Sequence, residues 1–334
     1  QGIIFYEGGI FMKATTKKIL TAAGILGGIA AAAAASAYVT AKLFAETALD
    51  REQPKVMKKA GKLISGGGDG GEFDEECAEA SLRLQNKPHE TVEITASDGC
   101  RLLGHFYPVE NPERVIIAFH GWRSSWHKDF GAVSDFWAEN GCSVLYVEQR
   151  GQNGSGGSHI GMGLTERFDC ADWVNWATLR CGRQIPIYLA GLSMGATTVL
   201  MAAGLQLPPN VHGIMADCGF TSPHAIWKHV AEKNLHVPYG LRGVIAEALY
   251  RRKINMGAAD YSTVAALKNT RIPVLLIHGA ADKFVPVEMT YENYEACASP
   301  KKLFIVPGAD HAMSYLKDRE GYEKTVKDFW KEFD

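Results

Sequence analysis

A serine hydroxyl is a weak nucleophile in water, and the pentapeptide Gly191-Leu192-Ser193-Met194-Gly195 places one in a setting that corrects this. The apolar run Ile187-Tyr188-Leu189-Ala190 before it reads as a strand, and a helical pattern opens at Met194. Gly191 and Gly195 permit the tight, strained strand-to-helix turn that exposes Ser193, and the helix start behind it favours developing negative charge. The chemistry such a serine performs is acyl transfer. It needs a base to take its proton, an acid to orient that base, and donors for the oxyanion.

The elements that must hold such a site are visible from residue 90 onward. Short β-branched and apolar runs alternate with helical patterns, which predicts an α/β fold with a mostly parallel sheet covered by helices on both faces. Strands are expected over 91–96 and 102–107, an antiparallel hairpin around Asp98-Gly99, and then over 114–119, 143–147, 185–190, 211–216, 274–277 and 303–306. Helices are expected near 129–140, 165–180, 194–204, 287–296 and 322–333, where apolar residues recur at spacings of three and four. Between about 220 and 269 the alternation gives way to a helical insertion carrying Trp227, Tyr239, Leu241, Leu249 and Tyr250. Open α/β sheets bind ligands outside the carboxyl ends of their strands, so this insertion is read as a cap over that edge.

With Ser193 in this context, residues 90–334 resemble the α/β-hydrolases, and most of all the bacterial hydrolases grouped with serine aminopeptidases, lysophospholipases and related esterases. Several of those carry an N-terminal membrane segment. The family ends an early strand with His-Gly, here His120-Gly121-Trp122. The resemblance implies that the backbone N–H of Trp122 joins that of Met194 as oxyanion donors, with the Trp122 indole lining the pocket and His120 a packed structural residue. The stretch from Glu148 to Ser155 resembles the family's acidic-x-Arg-Gly-His-Gly-x-Ser loop, but Glu148, Gln152 and Asn153 replace its usual Asp, His and Gly, and the loop is read as structural. Asn153-Gly154-Ser155 also matches a glycosylation acceptor, a coincidence so close to the active face. The acid falls at Asp282, in His278-Gly279-Ala280-Ala281-Asp282, with Asp217 after the preceding strand as the rival that some relatives use. His311, the only histidine beyond Asp282, follows the last strand and completes the chain order Ser, Asp, His as the base. The implied activity is hydrolysis of carboxylic esters of small or apolar substrates through an acyl-enzyme. The alternatives are a peptidase or amidase of the same fold, or a membrane-tethered binding protein that has lost activity.

The rest of the chain narrows the setting. Its 334 residues carry a net charge of −2, which marks no nucleic-acid partner. No HExxH, clustered Cys/His spacing or phosphate-binding loop ending is present, so no metal or cofactor is expected. The seven cysteines form no CxxC pair and read as free thiols. Glu7-Gly8-Gly9 before Met12 resembles a back-translated ribosome-binding site, so 1–11 is read as a translated leader. Lys13, Lys17 and Lys18 then precede an uncharged run from Ile19 to Ala41, and 12–45 is read as a membrane anchor with the catalytic domain on the outer face. The alternative is a signal peptide cleaved near Ala35-Ser36-Ala37. Residues 46–89, with the run Ser65 to Gly71, read as a polar, Gly-rich linker.

Overall fold

The structure is a computed structural model that describes residues 31–55 and 72–334. It contains one eight-stranded sheet in the order β1-β2-β4-β3-β5-β6-β7-β8. The strands are β1 Glu90–Thr95, β2 Arg101–Tyr107, β3 Arg114–Phe119, β4 Cys142–Glu148, β5 Ile187–Leu192, β6 Val211–Asp217, β7 Val274–Gly279 and β8 Lys301–Val306. β1 and β2 pair antiparallel, as do β2 and β4, and every pairing from β4 across to β8 is parallel. The sequence expects this fold, with its opening hairpin, and the structure has it. Burial explains why the central strands read as unbroken apolar runs. β3, β4 and β7 are buried at every position, as strands covered on both faces must be, whereas the edge strand β1 alternates between exposed and half-buried residues.

Helices are numbered here α1 (31–49), α2 Asp74–Asn86, α3 Trp126–Glu139, α4 Glu166–Cys181, α5 Met194–Ala202, α6 Pro223–His229, α7 Gly240–Ile254, α8 Thr263–Leu267, α9 Val287–Ala296, α10 Ser314–Lys317 and α11 Arg319–Phe333. One face of the sheet packs on α4 and α5 through Trp173, Val174, Val199 and Leu200. The other packs on α3 and α11 through Phe130, Trp137, Val326 and Phe329. A third apolar cluster lies apart from both, formed by α1, the cap helices α6 and α7, and the residues after β5 and β7.

Two boundaries differ from the sequence reading. The expected linker over 46–89 contains α2, whose Ala80, Ser81 and Leu84 are buried and whose Leu84 carbonyl accepts from the Tyr107 hydroxyl at 2.9 Å. Its charged residues lie on the opposite side, which hides a narrow buried stripe in a polar sequence. The Gly-rich run 65–71 lies outside the described residues, as do the expected leader and the first part of the expected anchor. The described remainder of that anchor does not stop at 45. It is helical to residue 49, Ala37 is buried, and Ala41, Ala45, Ala48 and Leu49 are buried in the protein's own third cluster. Among the described residues no helix is long and apolar enough to cross a membrane. The seven cysteines are free, as expected.

Candidate active site

Ser193 sits between β5 and α5 with φ 54° and ψ −115°, a left-handed conformation that costs a non-glycine residue energy and persists only where the surroundings enforce it. Two features enforce it here. Its amide donates to the Asp217 carbonyl at 2.9 Å. The turn also closes so tightly that a Cβ on Gly191 would lie 2.3 Å from the Gly195 carbonyl oxygen, and one on Gly195 would lie 1.8 Å from that of Phe119. Both flanking positions therefore admit glycine alone.

The candidate base and acid arrive from the loops after β8 and β7. His311 Nε2 lies 3.0 Å from Ser193 Oγ, and its Nδ1 lies 2.7 Å from Asp282 Oδ2. Since a carboxylate only accepts, Nδ1 carries the proton and Nε2 is free to accept from the serine. The other Asp282 oxygen accepts from the amides of Phe284 and Val285 at 2.8 and 2.9 Å. Burial alone would raise this acid, but hydrogen bonds from His278 and His311 outweigh it and hold the carboxyl well below its usual range.

His278 is a residue that sequence reasoning missed. Its Nε2 lies 3.2 Å from Asp282 Oδ2 and 2.9 Å from the Val285 carbonyl, and its Nδ1 lies 2.6 Å from Thr290 Oγ1. Burial lowers the affinity of this ring for a proton, yet the bond to Asp282, its negative charge, the bond to the Val285 carbonyl and the Asp217 charge together raise it further than burial lowers it. The signal was present, since His278 stands four residues before Asp282 at the end of β7, but a histidine in a buried strand reads first as core.

The rival acid is placed differently. Asp217 is buried, and its Oδ1 accepts from Ser314 Oγ at 2.9 Å rather than from His311. Burial pushes its carboxyl up to about 6, with the Ser314 hydroxyl opposing the rise. Asp310, next to the base, accepts instead from the amide of His311 at 2.8 Å.

The loop after β3 carries the candidate oxyanion donors. The ring of His120, buried completely, donates from Nδ1 to the Gly121 carbonyl at 2.7 Å and accepts at Nε2 from the Gln149 amide at 3.2 Å, so it is a structural brace. Burial lowers its affinity for a proton, in keeping with that neutral role. The Gly121 amide donates to Asp129 at 2.6 Å, and the Arg123 amide to Gln152 Oε1 at 2.5 Å, on either side of Trp122. Gln152 and Asn153, two of the three departures from the family loop, thus hold the loop that carries the candidate oxyanion donor. Asn153 Nδ2 donates to the Ser124 carbonyl at 2.9 Å. Arg150 anchors that loop to Asp169 and Asp98. Met194 N–H is the first of α5, at the end of a helix where amides lack an intrahelical acceptor.

A cavity of about 220 Å³ opens at Ser193. The cap contributes Ile226, Trp227, Val230 and Leu235, and the catalytic loops contribute Trp122, Met162, Phe220 and Phe284. The remaining wall is α1, through Thr40, Leu43, Phe44, Thr47 and Ala48. The end of α1 is tied to the oxyanion loop. Its last four carbonyls, which a helix leaves without internal partners, are all satisfied: Glu46 by the Asp50 amide at 3.0 Å, Thr47 by the Arg123 guanidinium at 2.8 and 3.1 Å, Ala48 by the Trp122 indole at 2.8 Å, and Leu49 by the Ile160 amide at 2.7 Å. Burial pushes the Arg123 guanidinium down to about 10, against the pull of Asp50 and Glu52.

Among the described residues, Cys218, Asp282 and His311 offer three ligand atoms within 4.8 Å of one another. A metal held there would have to take Asp282 and His311 from each other, so the arrangement serves a proton relay better than a metal.

Comparison with known proteins bears on the fold. The α/β-hydrolase fold family matches residues 114–268. The uncharacterized protein YqkD of Bacillus subtilis is 30% identical over 229 residues, covering 67% of this chain and 73% of that protein. The chain belongs to the α/β-hydrolase superfamily. Another relative of this α/β-hydrolase is the uncharacterized protein YfhR of Escherichia coli K12, 27% identical over 248 residues, with 72% of this chain and 80% of that one covered. Among solved structures, the esterase Pf2001 of Pyrococcus furiosus superposes with a TM-score of 0.62 at 22% identity, over 75% of this chain and 93% of its own. The esterase domain of a Rhodothermus marinus protein gives 0.53 at 20% identity, over 74% and 99%. At these identities the structures attest the fold.

Proposed function

We propose that the protein is a serine hydrolase of carboxylic esters, with Ser193 as nucleophile, His311 as base and Asp282 as orienting acid. The observation that carries this reading is the unbroken chain from Ser193 Oγ to His311 Nε2 at 3.0 Å and from His311 Nδ1 to Asp282 Oδ2 at 2.7 Å. Ser193 Oγ attacks the ester carbonyl as its proton passes to His311, and the backbone N–H groups of Trp122 and Met194 receive the oxyanion. The tetrahedral intermediate collapses as His311 returns the proton to the departing alkoxide. Water, deprotonated in turn by His311, then releases the acid from Ser193.

Esters are favoured over peptides by the cavity. None of the residues lining it carries a charge, so no carboxylate is placed there to receive the free amino group that an aminopeptidase must hold. The esterase names of the superposed structures agree with this choice. A fluorophosphonate probe is expected to label the wild type at Ser193 and to leave Ser193→Ala unlabelled, with ester turnover falling by about 10⁴-fold or more in the variant. Folded wild type that takes no label would overturn the reading, as would faster turnover of aminoacyl anilides than of aryl esters.

We further propose that the uncharged run before residue 37 tethers the enzyme to a membrane. The described helix supports this, being exposed throughout 31–36 and entering the protein's own contacts at Ala37. Recovery of the native protein in the soluble fraction after cell breakage would contradict the tether.

A further inference from the structure

The wall of the cavity supplied by α1 has no counterpart in the residues that perform the chemistry, and it carries information about the substrate. Two of its residues, Thr47 and Ala48, lie at the catalytic end, where the Trp122 indole and the Arg123 guanidinium grip their carbonyls. Thr40, at the middle of the same helix, lines the far end of the cavity wall that α1 supplies. Seven residues of α-helix separate Thr40 from Thr47, a rise of about 10 Å.

The chemistry along that length is uniform. Thr40 Oγ1 donates to the Ser36 carbonyl at 2.8 Å and Thr47 Oγ1 to the Leu43 carbonyl at 2.6 Å, so both hydroxyl protons stay within the helix. Leu43 and Phe44 stand between them, half-buried, and the Phe44 ring packs edge-on against Trp227 of the cap at 5.2 Å. From the catalytic serine outward the lining offers hydrocarbon and no charge.

We propose that α1 measures the substrate: the cavity takes the unbranched aliphatic acyl chain of an ester, and the stretch from Ala48 to Thr40 sets its preferred length at about eight methylenes beyond the carbonyl. A zigzag chain with carbon–carbon bonds of about 1.5 Å advances roughly 1.25 Å per methylene, which matches the rise from Thr47 to Thr40. The acyl group, rather than the alcohol, is assigned to this space because it stays bonded to Ser193 after the alcohol has gone. A sheltered apolar cavity holds that chain while water attacks the acyl-enzyme. Leu43 and Phe44 are then the specificity-determining residues.

This inference rests on the serine-esterase reading, and its test separates the two. Full-length protein is first labelled with a fluorophosphonate probe, whose failure at Ser193 bears on the esterase reading. The kcat/KM values of p-nitrophenyl esters are then measured over acyl chains from two to sixteen carbons. Each added methylene is expected to raise kcat/KM by two- to fourfold, up to an optimum between eight and ten carbons. Acetates of alcohols of increasing length are expected to differ by less than about threefold. Leu43→Trp, which fills the cavity midway, is expected to lower the ratio of ten-carbon to four-carbon turnover by tenfold or more, and Leu43→Ala to move the optimum to longer chains. The Ala variant carries the test if the Trp variant does not fold. A flat acyl profile in a labelled enzyme, a profile that follows the alcohol instead, or Leu43 variants that scale every chain length alike would each overturn the inference.

Discussion

Two carboxylates stand at the ends of neighbouring strands at the same edge of the sheet, and the protein shifts their proton affinities in opposite directions. Asp282, after β7, accepts from His311, His278 and two backbone amides, and those bonds hold it ionised. Asp217, the last residue of β6, has one hydroxyl for a side-chain partner, and burial pushes it up to about 6. Both lie close enough to influence His311 electrostatically, yet the hydrogen bond goes to Asp282. The difference teaches that the acid of such a relay is defined by the number of donors around it. The strand it follows is a weaker guide, because both strands end at the same edge.

The largest expected effect separates the two acids directly. Asp282→Asn is expected to lower kcat by about 10⁴-fold, because the Phe284 and Val285 amides would hold the side-chain oxygen and leave its NH2 facing His311, which forces the wrong tautomer. Asp217→Asn is expected to stay within about tenfold of wild type. The reverse ranking in steady-state kinetics would transfer the role to Asp217.

Their effects on stability have opposite signs. Asp282, with its affinity for protons depressed on folding, stabilises the native state above the ordinary carboxylate range and loses that contribution as pH falls through its folded value. Asp217, with its affinity raised from 3.8 to about 6, adds nothing at low pH and destabilises once the unfolded chain ionises and the folded one resists. Asp217→Asn is therefore expected to raise unfolding free energy by up to about 3 kcal/mol above pH 6, with the gain fading as pH falls toward 4. Thermal melts across that window check this, and a gain that is independent of pH would refute it.

Smaller changes sharpen the contrast by altering the donors one at a time. His278→Gln removes the imidazole that braces Asp282 and is expected to cost about tenfold in kcat, with KM nearly unchanged. Ser314→Ala deprives Asp217 of its hydroxyl and is expected to cost about 1 kcal/mol of stability near neutral pH while sparing kcat. A loss of kcat in the second variant that matched the first would mean that the two carboxylates act as one unit.

The candidate triad was legible in the sequence because each of its members is marked by a local pattern. Ser193 is framed by glycines that the turn demands, and Asp282 and His311 each follow a strand whose apolar run is easily read. His278 was hidden by lying within such a run. The substrate's surroundings were harder to read because they are assembled from distant segments. The residues of α1 reach the cavity from about 150 positions before Ser193, and its alanine-rich sequence, charged only at Lys42 and Glu46, reads equally well as the end of an anchor or as the face of a packed helix. Only the contacts of Ala41, Ala45 and Leu49 with the cap distinguish the two. For α2 the obstacle was the reverse, a buried stripe too narrow to show among acidic neighbours.

The grip of Trp122 and Arg123 on the carbonyls of α1 makes the outer end of that helix and the oxyanion loop parts of one rod. A hydrogen-bonded helix of nineteen residues spans about 28 Å and transmits a push or a tilt along its axis with little loss. Force applied near residue 31 therefore reaches the amide of Trp122 through two side chains, without passing through the sheet. This helix is in mechanical terms a lever whose short arm ends beside the candidate oxyanion donor at Trp122.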